Sequence, residues 1–457
     1  MSVLTDVPLW IFLVSVIAGY LLGVISGLVP GIHTNNFALI LLAFSPFLSD
    51  RGLPVVCIAA MILANSISHT FHDIIPSIFL GAPGEDTALA VLPGHTLLLE
   101  GQGSQAIRLS ALGSAGSVVM SLLTVIPLSF LFVKGYQVIQ DNMAYILILV
   151  ALVMIMTEKG EYLQGEGRIK VWRKRTFALL LFGMSGLLGI FAFRMESLSH
   201  PLTGWSEGSI LLPLLSGLFG ASQLIISLFS DPAIPTQYDS RPDLERSRIL
   251  RGIATGSIFG SIVAWLPGVS SSIATVFARI FVREKPDSKN VMQDDEVFLA
   301  SSKEFIVSIS GVNTSNAIFG LMALAFIGRT RSGAMVAIDE LMGGITLELS
   351  MVVLFLCAIL LTSLLSYFST IYLGDNVHRM LEKIDYPKIC YGIILFLAAM
   401  VLLSTGLFGL LIFIIAIPIG MLAPFLGVKK SHCMGVILLP VILYFIYRSF
   451  KDLSVIM

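Results

Sequence analysis

Long apolar runs recur along almost the whole chain, at 9–30, 107–133, 143–157, 177–193, 209–230, 350–373 and 406–426. A helix rises about 1.5 Å per residue and the hydrocarbon core of a bilayer is about 30 Å thick, so most of these runs can cross it. None has the alternation of a barrel strand. The pattern predicts an all-α polytopic membrane protein with about 10–14 membrane segments.

Several stretches are interrupted where an ordinary spanning helix would continue. Residues 9–48 contain "GLVPGIHTNN", 74–99 contain "LGAPGEDT" and 252–282 contain "AWLPGVSSS". Proline removes a backbone donor and clashes with the preceding turn, so each Pro-Gly predicts a helix that stops and restarts, or a re-entrant hairpin. The first and third breaks resemble each other: "GVISGLVPGIHTNN" (23–36) and "GSIVAWLPGVSSS" (260–272) share a small-residue approach, an apolar pair, Pro-Gly, a β-branched residue and a polar cluster. After each comes a polar-flecked run, "NSISHTFHDIIPSIFLGAPG" (65–84) and "SISGVNTSNAIFGLMALAFIG" (308–328). Pro30 lies 54 residues before Gly84, and Pro267 lies 61 before Gly328, which reads as a loose internal duplication.

Basic residues orient the copies. Lys and Arg cluster at 159–175, 241–251, 279–303, 379–388 and 429–430, and these loops with Arg108 read as cytoplasmic. Threading the segments accordingly makes 31–48 a hairpin opening outward, 53–71 an inward crossing and 74–99 a hairpin opening inward. In the second half 252–282 opens inward, 305–321 crosses outward and 322–347 opens outward. The expected architecture is an inverted-topology repeat with broken helices: 1–160 as the first repeat, 161–249 as connecting segments with two basic loops and a helical pair, and 250–457 as the second repeat. Such repeats suit alternating access to a midplane site.

Composition narrows the class further. With 56% of residues hydrophobic and 12% charged, and a mean hydropathy of +0.91, the chain falls outside the soluble globular range and belongs in a lipid bilayer. A net charge of −1 gives no bulk electrostatic case for nucleic acid. The residues before Leu9 include no Lys or Arg, and the run behind them exceeds a signal-peptide core and lacks a small-x-small cleavage pattern, so the first segment is expected to stay in the mature protein. Cys57, Cys357, Cys390 and Cys433 form no metal spacing and read as packing residues.

The chemistry concentrates at the breaks. A helix restarting near Thr87 after Pro83-Gly84 offers N–H groups and a positive dipole end. Glu85 and Asp86 either cap that end or face a wet cavity, binding a coupling cation or carrying a proton. Around the first break, Gly31, His33, Thr34, Asn35 and Asn36 supply close backbone approach, a titratable ring and donors to an oxyanion, against the alternative of local capping. Gly268, Ser270, Ser271 and Ser272 are the matching set in the other half, and Asn313 and Thr314 lie in a further polar island. "HTFHD" (69–73) brings together His69, His72 and Asp73; a metal is disfavoured without HExxH or distant cysteines, leaving interfacial contacts or a place along the permeation path, with Asp73 a third ion-coupling candidate. The basic loop "GEGRIKVWRKRT" (165–176) is explained by topology.

"PGEDTALAVLPGHTLLLEGQGSQAIRLSALGSAGS" (83–117) resembles the large membrane subunit of the tripartite tricarboxylate transporters, the TctA family, at Pro83-Gly84-Glu85, Gly94, Gly101, Gly103, Ala106 and Gly113-Ser114. "GLVPG" and "WLPG" resemble its two repeat starts. The resemblance implies secondary, ion-coupled carboxylate uptake across a prokaryotic cytoplasmic membrane, with an extracytoplasmic binding protein and a small membrane subunit as partners. His33 and Asn35-Asn36 depart from the family pattern, as does "FIGRTRSGA" (326–334), where Arg329 and Arg331 read as outer-loop charges or as anion partners.

The reading is therefore a permease moving a small organic anion, di- or tricarboxylate, by alternating access, without catalytic residues or a bound metal. Na⁺ or H⁺ is the expected coupling ion, since no GxxxxGK[ST] motif is present. A homodimer is compatible with it. The alternatives are a lipid-carrier translocase on the same scaffold and an intramembrane enzyme using His33, His69 or Asp73.

Overall fold

The computed structural model describes all residues except 1–7, 30–33, 80, 82–85, 157, 159–167, 203–209, 230–236, 238–241, 267–270, 283–290, 331, 345–346, 382–385 and 457. Among the described residues every regular element is helical: α1 (Leu9–Leu28), α2 (Thr34–Asp50), α3 (Val55–His72), α4 (Ile74–Phe79), α5 (Val91–Leu99), α6 (Gly103–Asp141), α7 (Met143–Met156), α8 (Arg168–Arg194), α9 (Leu211–Leu215), α10 (Ser222–Phe229), α11 (Arg246–Trp265), α12 (Ser271–Phe281), α13 (Val291–Ile327), α14 (Gly333–Leu341), α15 (Leu349–Leu381), α16 (Tyr386–Leu426) and α17 (Gly435–Ile456). Eight helical stretches among them are long and apolar enough to cross a membrane, with four shorter apolar helices beside them. The chain is a multi-pass membrane protein.

Contacts divide it into two units, residues 1–134 with 232–389, and residues 135–231 with 390–457. The first holds all three predicted breaks. α1 ends at Leu28 with Val29 extended (φ −94°, ψ 106°), and α11 ends at Trp265 with Leu266 extended (φ −89°, ψ 125°). Each extended residue immediately precedes a proline, whose ring excludes the helical region for its predecessor. Six positions after the last residue of each helix the chain is helical again, at Thr34 and at Ser271. α3 stops at His72 and α4 restarts at Ile74 because Pro76 has no N–H to offer the His72 carbonyl.

The two stretches repeat one another in packing as well. Gly19, Gly23 and Gly27 of α1 lie against α3: a Cβ on Gly19 would sit 2.9 Å from that of Ala64, one on Gly23 2.6 Å from the Asn65 carbonyl, and one on Gly27 2.8 Å from the His72 Cβ. Gly252, Gly256 and Gly260 of α11 meet α13 in the same way, 2.9 Å from Val307, 2.5 Å from the Ser308 carbonyl and 2.5 Å from the Val312 carbonyl. Later glycines meet later residues, so α1 runs parallel to α3, and α11 to α13. Close backbone approach at small residues is how apolar helices associate where no hydrophobic drive separates them from lipid.

Further on, α3 with α4 ends two residues before Gly81 (φ 61°) and α13 ends one before Gly328 (φ 59°). The nine-residue helices α5 and α14 are each followed after one residue by a left-handed glycine, Gly101 (φ 74°) and Gly343 (φ 70°). Long-range contacts are exchanged between the stretches: α2 packs on α14 while α12 packs on the turn at 88–90 that leads into α5, and α3 packs on α14 while α13 packs on α5. α15 lies on α1 and α3, and α6 lies on α11 and α13 through Gly113 against Val307 and Gly116 against Ile253.

Three sequence expectations change. The polar island 311–316 and the stretch from 305 to 327 belong to one unbroken helix, α13, rather than a crossing that ends at 321. Asn313 to Asn316 bond sideways, so the backbone ladder continues past them. The run 209–230 is two short helices joined by a π-helical turn at Ser216–Ala221. The run 406–426 begins inside α16, which bends at Gly406 (φ 69°).

In the second unit Gly186, Gly189 and Gly435 bring α8 and α17 together. There Glu158 pairs with His432 at 2.7 Å, and Lys430 donates to the Phe219 carbonyl and to Gln223 Oε1.

Candidate functional site

The site is built where α3 and α13 touch in the first unit. Thr70 and Thr314 share a hydrogen bond of 3.1 Å, and Asn313 donates to Asp73 Oδ2 at 2.8 Å. Asp73 occupies the break between α3 and α4 and is only 6% exposed; Asn313 is 3% exposed. The other carboxylate oxygen, Asp73 Oδ1, has no hydrogen-bond partner among the described residues. A buried acceptor without a donor is costly, and a buried carboxylate more so.

Both helix gaps lead to this point. Gly27, two residues before the first gap, would place a Cβ 3.2 Å from the Asp73 nitrogen, so α1 stops level with the α3 break. Thr34, which restarts the chain as α2, is buried and its hydroxyl has no partner among the described residues. At the second gap Ser271 restarts the chain as α12, and Asn316 donates to its Oγ at 2.8 Å, tying it to α13 one turn from Asn313.

Asp86 and Thr87 of "EDT" join the site too. Ser77 Oγ donates to the Asp73 carbonyl at 2.8 Å and lies 2.6 Å from Thr87 Oγ1. A hydroxyl has one proton, so with Ser77 donating to the carbonyl Thr87 donates to Ser77. Asp86 is half-buried and within electrostatic reach of Asp73.

Of the residues singled out from sequence, the structure thus brings together Asp73, Asp86, Thr87, Ser271, Asn313 and Thr314, while Thr34 is buried at the start of α2. Gly31, His33, Gly84, Glu85, Gly268 and Ser270 lie outside the described residues, as do the side chains of Asn35, Asn36 and Ser272. Arg329 is exposed, and Arg331 is not described.

The "HTFHD" cluster resolves into separate contacts. His72 Nδ1 is 2.7 Å from the Ser68 carbonyl and donates to it, and Nε2 lies 2.9 Å from Ser369 Oγ, which donates to the Ser366 carbonyl at 3.2 Å. His69 Nδ1 meets Ser26 Oγ at 3.0 Å. Among the described residues no three His, Cys, Asp or Glu side chains come together as a metal cluster.

Sequence reasoning missed Ser26 and Asn65. Ser26 also bonds Asn65 Oδ1 at 3.2 Å, and Asn65 Nδ2 has no partner among the described residues although the residue is fully buried. A buried Asn one turn before His69 was the available signal. Trp265 was missed as well: it closes α11 at the second gap, stacks on Phe132, and its indole N–H has no acceptor among the described residues.

The sequence profile of the family described as Tripartite tricarboxylate transporter TctA family matches residues 13–435. An uncharacterised protein of Methanocaldococcus jannaschii, MJ1079, is 29% identical over 446 residues, which cover 95% of this chain and 99% of the relative. No solved structure matches the chain.

Proposed function

The chain belongs to the tripartite tricarboxylate transporter TctA family, and from that premise we propose that it carries small organic anions, di- or tricarboxylates, across the membrane by alternating access at the α3–α13 contact. The observation that carries this reading is the Asp73–Asn313 bond between the α3–α4 break and α13, with a carboxylate oxygen beside it that has no partner among the described residues. The family is the large membrane component of a tripartite system, so a binding protein would deliver substrate and a small membrane subunit would complete the assembly.

The repeated glycine pattern and the exchanged contacts of α1–α5 and α11–α14 support two equivalent halves, and the alternating basic loops support their inversion. Thr34, Thr87, Ser271, Asn313 and Thr314 supply hydroxyls and an amide, suited to replacing water around a carboxylate. A cation is needed as well. Asp73 and Asp86 lie within electrostatic reach of each other, so Na⁺ or H⁺ taken up there would offset part of their negative charge and that of the substrate.

Uptake of labelled citrate, tartrate and succinate into proteoliposomes tests the reading, run with and without a sodium gradient and a pH gradient. Asp73→Asn should abolish dependence on whichever gradient drives the wild type. Gradient-driven uptake by Asp73→Asn equal to wild type would remove Asp73 from the coupling step, and no uptake of any carboxylate by the full assembly would overturn the substrate class.

A further inference from the structure

We infer that the indole N–H of Trp265 is a hydrogen-bond donor to a carboxylate of the transported anion, and that with Ser271 it makes the end of α11 and the start of α12 the anion-selective part of the site. This inference rests on the transport reading above.

Trp265 is 1% exposed, among the largest fully buried side chains described. Indole nitrogen donates and never accepts, so burying it without an acceptor forfeits a hydrogen bond that water would have supplied. Tryptophan buried for packing ordinarily finds an acceptor for that N–H. Trp265 has none among the described residues.

Its place in the chain says what the acceptor would be. Trp265 is the last residue of α11, two positions before Pro267. The corresponding last residue of α1, two positions before Pro30, is Leu28, which has no polar atom on its side chain. The two gaps therefore differ in kind. The first ends beside Asp73, a carboxylate that favours cations; the second ends in a neutral donor, followed at the restart by Ser271, whose Oγ accepts from Asn316 and keeps its own proton to donate. A donor pair without a carboxylate suits an anion.

The ring is also held in place. Phe132 stacks on it with centroids 5.4 Å apart and planes inclined by 23°. A donor fixed by a neighbour loses little freedom when ligand arrives, which is how preorganised sites gain affinity.

Trp265→Phe keeps the stacked ring and removes only the N–H. Calorimetry on the full-length chain with citrate, tartrate and succinate should show affinity falling about tenfold to a hundredfold for the carboxylate that the wild type binds, as expected for a lost hydrogen bond to a charged acceptor. The ligand-free melting temperature should not fall, because no bond within the protein is removed. In a chain with Trp10, Trp172 and Trp205 replaced by Phe, the emission of Trp265 should change saturably with the same carboxylate. Unaltered affinity in Trp265→Phe, or unaltered emission while calorimetry still registers binding, overturns this inference alone. If the wild type binds none of the carboxylates, the transport reading fails with it.

Discussion

Asn313 donates its side-chain N–H to Asp73 Oδ2 at 2.8 Å, linking the middle of α13 to the break between α3 and α4. Because both groups are buried, neither can fall back on water if the other is removed.

Asn313→Ala should therefore destabilise the protein by about 1.5–3 kcal/mol, the range for hydrogen bonds to charged groups. In the double variant Asp73→Ala/Asn313→Ala the orphaned carboxylate is gone, and the combined loss should fall short of the sum of the single losses by at least about 0.5 kcal/mol. Unfolding followed in detergent by thermal melts would measure the cycle. Additive losses would mean that the two residues act apart.

The helix pairs set a second expectation. Gly256→Ala would put a methyl 2.5 Å from the Ser308 carbonyl, and backbone cannot move aside cheaply. A loss of about 1–3 kcal/mol is expected, as for overpacking elsewhere. Gly392→Ala, where nothing lies within 4 Å, should be neutral or stabilising, because alanine suits a helix interior better by about 0.5–1 kcal/mol. Equal losses at the two positions would place the cost in helix propensity and not in the α11–α13 contact.

The breaks were legible because proline and its predecessor obey local sterics: the ends of α1 and α11 fall where Pro30 and Pro267 put them. The expected duplication rests on the same local signal, and Gly84, its second glycine, lies outside the described residues. Gly81 and Gly328 share the left-handed conformation and follow the ends of α4 and α13. The partners of individual polar residues were not legible. Gln237 accepts from the Gly103 N–H and donates to the Leu98 carbonyl, joining the end of α5 to the start of α6 from a position more than 130 residues away. No periodicity marks such a residue, since it stands alone in a connecting segment and its role depends on where the chain returns. Trp265 was hidden differently: within an apolar run its ring reads as packing, and only the missing acceptor for its N–H sets it apart.

In the second unit, Glu158 lies just beyond α7 and accepts from His432 Nε2 at 2.7 Å and from the Lys429 N–H at 3.2 Å. Burial pushes its carboxyl pKa up, but the His432 hydrogen bond and charge with the Lys429 contributions more than offset this, holding it below the ordinary 4.5. A depressed carboxyl pKa stabilises the fold above the unfolded value, and the contribution is lost as pH falls through the lower folded value. Glu158→Gln should therefore melt below the wild type at pH 7, and the gap should narrow as pH drops below 4.5. A gap that stays constant through the acid limb would assign the loss to packing.

The two restart residues separate binding from stability. Thr34 opens α2 with a buried hydroxyl that has no partner among the described residues, whereas Ser271 opens α12 with a hydroxyl that accepts from Asn316 at 2.8 Å. Thr34→Val keeps the shape and removes an unsatisfied polar atom, so the ligand-free protein should be as stable as wild type or more so. Ser271→Ala breaks an existing bond and should cost about 0.5–1.5 kcal/mol in the same melts. If both hydroxyls serve the transported anion, each variant should nevertheless weaken citrate, tartrate or succinate binding by about 1 kcal/mol or more, roughly fivefold, in calorimetry. Thr34→Val would then be more stable and yet bind more weakly, a combination that a purely structural hydroxyl does not produce. Unchanged binding in Thr34→Val would remove the first gap from the anion site and leave Trp265 and Ser271 to define it.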